Sequence, residues 1–373
     1  MNFSEVVMKG IGEGSKMRSW HEALLEGVVE EGRRLDRHEA REIYLHADFH
    51  RLGHAAHRLR QKKHTENVVT YVVDRNINYS NICVCGCRFC AFFRPPGHPE
   101  GYVLGRDLLA KKIEETLALG GTQILLQGGH HPDLPLSFYE DMLRFIKERY
   151  PVHLHAFSPP EIVFFAKRER IDVATVIARL KSAGLDSIPG GGAEILVDEV
   201  RRRVSPNKCS AEEWLAVMEE AHRQGLRTTA TMMFGHEESL EDRLSHLFAL
   251  RDLQDRTGGF TAFIPWTFQP GNTSISKRPE TAVSYLRLLA LSRLVLDNFD
   301  NLQASWVTMG PKVAQAALFF GANDFGSTMI EENVVAAAGV HFRLSVEEIR
   351  RLICDAGFVP KQRTMAYEWI EGT

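Results

Sequence analysis

From residue 66 onward, short apolar runs alternate with longer stretches in which apolar positions recur every three to four residues, the periods of strand and helix respectively. Val68 to Val73 (VVTYVV) opens the series as a strand. Arg106 to Leu119 reads as a helix, Gln123 to Gln127 as a strand, Pro135 to Arg149 as a helix and Val152 to Phe157 as the next strand. Val173 to Ala183 is then a helix, Asp186 to Glu194 a strand running into a glycine loop, Ala211 to Gln224 a helix and Leu226 to Gly235 a strand. Leu240 to Arg256, Phe260 to Trp266, Thr281 to Leu296 and Leu302 to Val307 follow as helix, strand, helix and strand. Repeated strand-helix units predict a parallel sheet, because parallel neighbours need a crossover between them. About seven such units fit an α/β fold built as a full or partial (β/α) TIM-type barrel better than an open doubly wound sheet, and in either case ligands belong at the C-terminal ends of the strands.

Residues 1–64 are expected to form an N-terminal helical extension, with no strand signal from residue 18 onward, and residues 65–373 the barrel with a C-terminal helical segment. Ser345 to Ala356 reads as the last helix, stopped by Gly357. His46, His50 and His54 recur at the spacing that stacks side chains on one helical face, which makes a metal site conceivable. Beside the apolar stripe of Leu45, Phe49, Leu52, Ala56 and Leu59 they read instead as a solvated flank.

Composition narrows the function. A hydrophobic fraction of 44% and a charged fraction of 25% are those of ordinary globular proteins, and no segment approaches the roughly 20 apolar residues of a membrane span. The first residues lack the apolar run of a secretory signal, so a cytoplasmic location is expected. A formal charge of -3 without a dense Lys/Arg tract argues against nucleic acid as a partner. Of six cysteines, Cys83, Cys85, Cys87 and Cys90 fall within eight residues, while Cys209 and Cys354 stand apart and read as ordinary thiols. In a reducing compartment such a cluster favours metal over disulfides.

Cys83, Cys87 and Cys90 form C-x3-C-x2-C directly after the first predicted strand. Three thiolates on a short loop can each bind one iron of a cubic cluster and leave the fourth iron open to a chelating cofactor. Cys85 keeps a zinc-stabilised scaffold or a fully ligated electron-transfer cluster open as non-enzymatic readings, although structural zinc usually draws a second, distant pair of ligands. Serine at position 85 is expected to keep the cluster, and serine at 83, 87 or 90 to lose it.

With Phe89 before its last cysteine, this loop resembles the signature of the radical S-adenosylmethionine (SAM) superfamily. The resemblance implies a 4Fe-4S cluster on Cys83, Cys87 and Cys90, with SAM on the open iron. It also implies that Phe89 lies against the adenine and that Gly128 and Gly129 receive the SAM amino group through their backbone. Glu194, closing the Gly190-Gly191-Gly192-Ala193 turn, corresponds to a contact with the SAM ribose and methionine; an acidic residue at a helix N-terminus is the equally simple reading. Met233 to Glu237 resembles an adenine-contacting turn.

Longer stretches, among them DRNINYSNIC, QGGHHPDLPLSFYEDMLRFIKE, HAFSPPEI, SIPGGGAEILVDEVRRRVSPNK, TTATMMFGHEE, FTAFIPWTFQPGNT and ASWVTMGPKVAQAALFFGANDFGSTMIEENVV, span residues 74 to 338. They resemble the enzymes of the futalosine route to menaquinone and their deazaflavin (FO) synthase relatives. The last three are closer to the cyclic dehypoxanthine futalosine synthase family than to aminofutalosine synthases; Cys85 and Met309 depart from the pattern. The resemblance implies that a 5'-deoxyadenosyl radical removes the C4' hydrogen of dehypoxanthine futalosine, that the sugar radical attacks the substrate's aromatic ring, and that a reductant such as flavodoxin or ferredoxin feeds the cluster. Arg75, Arg88, Arg94 and Lys312 could meet the substrate benzoate. His130, His155 and His236 are the foremost strand-end candidates for a catalytic base, beside His131, Asp133 and Glu161.

Overall fold

The computed structural model describes residues 20–372; the first residues, read as lacking a secretory signal, and the opening of the expected N-terminal extension lie outside them. Among the described residues ten strands occur: β1 (Val68–Val72), β2 (Asp74–Asn78), β3 (Gln123–Gln127), β4 (His153–Ala156), β5 (Ser187–Ile188), β6 (Arg227–Phe234), β7 (Phe260–Thr267), β8 (Asn301–Leu302), β9 (Asp324–Ser327) and β10 (Val359–Gln362). β2 to β8 lie in chain order in one seven-stranded sheet, and β10, β1 and β9 form a second. Every pairing between them is parallel. The fold is thus an α/β partial TIM barrel.

β1 and β2 are one extended run broken at Val73. The Val72 carbonyl accepts the Thr328 N–H at 2.9 Å and the Val73 carbonyl accepts that of Thr122 at 3.2 Å, so the run passes from one sheet into the other. At the opposite edge Gln303, just beyond β8, bridges to Asp324 of β9. β9 therefore spans the seam between the barrel's first and last staves.

The strands alternate by residue, and the alternation decides what the barrel holds. In β3, Ile124 and Leu126 are fully buried in the surrounding core, whereas Gln123, Leu125 and Gln127 face an interior cavity. β2 repeats this with Asp74 and Asn76 inward, as do β4 with His155 and β6 with Thr229 and Thr231. Side chains of period two make one polar and one apolar face from each strand. The apolar face is covered by helices with period 3.6. Ala211–Arg223 buries Trp214, Val217, Met218 and Ala221 and starts from a Ser210/Glu213 capping box; Val173–Ala183 buries Val176, Ile177, Leu180 and Ala183 and ends at Gly184 with φ of 115°.

The helical preface consists of residues 20–31, Arg37–His46 and Phe49–Lys63, whose buried side chains join the barrel's own core. Arg287 clamps this layer to the barrel by donating to the carbonyls of Tyr44 (2.9 Å) and Ala47 (3.0 Å). His46 ends one helix and His50 and His54 lie on the next, so the three do not share a helical face. All three are exposed, as is Leu45, which leaves the expected apolar stripe.

One predicted element changes character, and one helix lies where none is predicted. The expected strand Leu302 to Val307 pairs only at Asn301–Leu302, and Trp306–Met309 turns helical behind Ser305. Pro159–Glu169, quoted only as a motif, is a helix: proline suits the first helical turn, where its missing N–H costs nothing. No helix among the described residues is long and apolar enough to cross a membrane.

Candidate active site

The chain leaves β2 into a loop tied to its surroundings by backbone bonds. Cys83 N–H donates to the Arg94 carbonyl (2.9 Å), Arg94 N–H to that of Asn81 (2.8 Å) and Val84 N–H to that of His130 (3.1 Å). Arg94 donates onward to the carbonyls of Ala91, Phe92 and Phe93 and pairs with Glu100, so it staples the loop and is not available to a substrate carboxylate. The other expected cations are also engaged or remote. Arg75 turns outward to the Lys112 carbonyl and Glu115, Arg88 donates to the Arg203 carbonyl, and Lys312 is exposed.

Gly128 and Gly129 let the cysteine loop lie against the end of β3. A Cβ on Gly129 would sit 2.2 Å from the Ile82 carbonyl oxygen and 2.7 Å from Cys83 Cβ; on Gly128 it would sit 2.4 Å from the Tyr79 ring. The Gly129 N–H is spent on the Ser80 carbonyl (3.1 Å) and that of Gly128 on Glu161 (3.2 Å). Glu161 also accepts from the hydroxyls of Tyr79 (2.5 Å) and Ser158 (2.6 Å), and burial raises its pKa to about 7. Glu161 thus anchors the glycine turn from behind.

The thiols sit in a field that favours thiolate at two positions. A hydrogen bond from the Cys85 thiol, with backbone N–H groups of Cys85 and His130 and the nearby Lys208 ammonium, draws Cys83 down to about 6. Cys87 is lowered by the Cys85 thiol and Lys208, whereas burial raises Cys90. Cys85, expected to be a bystander, lies among the other thiols: it is buried, its sulfur is 3.0 Å from His130 Nδ1, and the Cys83 and Cys87 sulfurs hold it protonated. His130, buried and pushed down to about 3, faces that thiol as a neutral imidazole.

Lys208 organises this end of the site. Burial opposes its charge, but Cys87 and Glu194 hold it protonated above the ordinary lysine range. Its ammonium donates to Glu194 Oε1 at 2.9 Å and lies 5.0 Å from the centre of the Phe89 ring. Glu194 Oε2 is buried, 3.7 Å from Arg201 and without a hydrogen-bond partner. Arg201 in turn donates to the carbonyls of Gly192, Ala193 and Cys209, fixing the glycine turn. A loop of clustered thiols, two of them drawn towards thiolate, a glycine cradle that a Cβ would fill, and an enclosed carboxylate oxygen without a donor together fit an iron-sulfur cluster with a polar, hydroxyl-bearing cofactor beside it.

Next to the glycine turns lies a cavity of about 250 Å3, lined by inward residues of β2, β3, β4, β6 and β7, by Pro189 and Gly191 beyond β5, and by Gln303, Trp306 and Glu332. It contains His155 but neither His130 nor His236. His236 is closed within its own turn, with Nε2 3.0 Å from the Met233 carbonyl and Nδ1 accepting from Glu237 N–H at 2.7 Å. His131 likewise accepts from Asp133 N–H, which is turn chemistry.

Three residues of the site carried no mark of their own in the sequence: Lys208 and Arg201, which lie within a long motif, and Arg363, which lies beyond all of them. Arg363 reaches the cavity wall from beyond β10 and forms a two-pronged pair with the fully buried Asp324. Glu332 lines the same cavity, its carboxylate accepting from the N–H groups of Val334, Val335 and Ala336 while burial raises its pKa.

Comparison with known proteins identifies the surroundings of this geometry. The Radical SAM superfamily pattern matches residues 77–250, and the CofH/MqnC C-terminal region matches 257–373. The chain is 49% identical to the cyclic dehypoxanthine futalosine synthase of Halalkalibacterium halodurans over 93% of this chain and 95% of that one. It is 44% identical to the Streptomyces coelicolor protein of the same name, over 90% and 86%. A 5-amino-6-(D-ribitylamino)uracil--L-tyrosine 4-hydroxyphenyl transferase from Methanocaldococcus jannaschii is 40% identical over 83% and 90%. Among solved structures, the FeFe-hydrogenase maturase HydG from Carboxydothermus hydrogenoformans shares the fold with a TM-score of 0.75 at 17% identity, covering 97% of this chain and 85% of that one.

Proposed function

The chain belongs to the radical SAM superfamily, whose cofactors are a 4Fe-4S cluster and SAM, and on that premise we propose that it cyclises dehypoxanthine futalosine as a step towards menaquinone. The observation that carries the reading is identity of 44–49% to two cyclic dehypoxanthine futalosine synthases across both the barrel and the C-terminal region. When bound, the cluster and SAM supply a carbon radical able to take the C4' hydrogen of the substrate ribose.

Cys83, Cys87 and Cys90 hold the cluster in this reading. Glu194 Oε2, lacking a hydrogen-bond donor, takes a hydroxyl of the SAM ribose, and Phe89 backs the adenine. Because the N–H groups of Gly128 and Gly129 are spent inside the protein, their carbonyls face the task of receiving the SAM ammonium. The strand-lined cavity holds the substrate in the single approach that ring closure requires and keeps water from the radical. A low-potential one-electron donor of the flavodoxin or ferredoxin kind serves the cluster.

The deciding experiment is an anoxic assay with reconstituted protein, dithionite, SAM and dehypoxanthine futalosine. Formation of 5'-deoxyadenosine together with cyclised product is expected. If the chain instead joins tyrosine to 5-amino-6-(D-ribitylamino)uracil, or forms an aminofutalosine-type adduct, and leaves dehypoxanthine futalosine unchanged, the reading fails.

A further inference from the structure

From the cavity wall outward, four side chains from three strands form a hydrogen-bonded row. Thr229 Oγ1 of β6 lies 3.4 Å from His155 Nε2; His155 Nδ1 of β4 is 2.7 Å from Ser187 Oγ of β5; and Ser187 Oγ is 2.7 Å from His153 Nε2. Thr229 Oγ1 also accepts the Gly190 N–H at 3.0 Å. His155 borders the cavity and is nearly enclosed, whereas His153 is only half-buried.

Resting on the cyclase reading above, we propose that His155 is the base that takes the proton released at the aromatic ring, and that Ser187 relays it to His153 and so out of the cavity. A neutral imidazole has one N–H and one lone pair, and a hydroxyl has one hydrogen to give. With the Thr229 hydroxyl turned to His155 Nε2, the N–H of His155 is on Nδ1 and points at Ser187, whose own hydrogen points at His153 Nε2. All three bonds then run the same way. The weakest of them, at 3.4 Å, is the one on the cavity side, so Nε2 is the nitrogen most easily released to a substrate.

The step balances as follows. Once the carbon–carbon bond has formed, the attacked ring carbon still bears its hydrogen. That C–H bond breaks, its electron pair re-enters the ring, and one electron leaves to a one-electron acceptor of the iron–sulfur class. The proton goes to His155 Nε2 as the Nδ1 hydrogen passes to Ser187 and the Ser187 hydrogen to His153. Regained aromaticity makes the departing proton strongly acidic, so a weak base suffices. Burial, with His153 and Arg363 nearby, holds His155 well below the ordinary histidine range; His153 is lowered by burial against the pull of Asp186, itself paired with Lys147 at 2.8 Å. Both imidazoles are thus neutral and ready to accept.

His155→Gln and Ser187→Ala test the relay, the second without altering a residue that borders the cavity. In both, cyclised product should fall about tenfold or more relative to 5'-deoxyadenosine, so that the ratio of 5'-deoxyadenosine to cyclised product rises accordingly. Equal losses of both products, or no change in either, would overturn the relay. Nitrogen NMR of the resting protein should show the Nδ1–H tautomer at His155; an Nε2–H tautomer there would also overturn it. Failure of the cyclase reading is separately visible, because the unaltered chain would then yield no cyclised product while the tautomer measurement still reports on the row.

Discussion

The cysteine loop and the cavity wall lie side by side at the same end of the barrel, yet they are built on opposite electrostatic plans. Around the loop, charge is concentrated and internally balanced: Lys208 stands between Cys87 and Glu194, and Arg201 backs the glycine turn. Along the wall, the inward side chains of β3, β4 and β6 are amides, hydroxyls, one leucine and the His155 imidazole, and the lining cation, Arg363, is committed to Asp324. The loop is suited to holding thiolates for electron chemistry. The wall is suited to a substrate that must be oriented without being trapped by a strong charge, since unpaired buried charge is costly to maintain.

The largest effect should come from removing the loop's thiolates. Cys83→Ser, Cys87→Ser and Cys90→Ser should each lower iron well below about four per chain and abolish 5'-deoxyadenosine formation, whereas Cys85→Ser should retain the iron; iron analysis and the visible spectrum after anoxic reconstitution check this. Next, Lys208→Met deletes the central charge and leaves Glu194 buried beside Arg201 alone, which should destabilise the fold by about 3–5 kcal/mol in urea unfolding. A smaller change tests Glu161, which anchors the glycine turn behind the loop. Its folded pKa of about 7 lies above the ordinary 4.5, so the folded state holds more protons than the unfolded one between those values. Stability should therefore fall as pH rises through that window, by up to about 3 kcal/mol, and Glu161→Gln should flatten this part of the profile. Smallest of all, Arg88→Ala should shift stability by less than about 0.5 kcal/mol and leave substrate KM unchanged, because this side chain spends its hydrogen bond on the Arg203 carbonyl outside the cavity.

Much of this architecture was legible in local pattern. The strand and helix periods located β1, β3, β4, β6 and β7 to within a residue or two, and the thiol spacing pointed to the loop before any coordinates. What escaped was non-local. β9 and β10 are four residues each and are defined by pairing with β1, about 250 and 290 positions away. Lys208 and Arg363 look like any other basic residue in the chain; their meaning lies in Glu194 and Asp324, which folding brings to them. Among the polar strand-end residues, sequence could not separate His155 from His236. The difference is whether a ring nitrogen faces the cavity or a carbonyl of its own turn, and that is a matter of a few ångströms of backbone path.

The alternation within the staves also bears on how such a protein diversifies. The residues of β2, β3, β4 and β6 that meet the ligand space sit on one face of their strands, and their neighbours in the chain point away from it into the surrounding core. Exchanging the former alters what fits inside while leaving the chassis intact, so new substrates are reachable one substitution at a time. Deleting a single residue from a stave would instead swap lining and backing together, placing leucines where amides belong. The repertoire of this scaffold is therefore open to point changes and closed to frame slips.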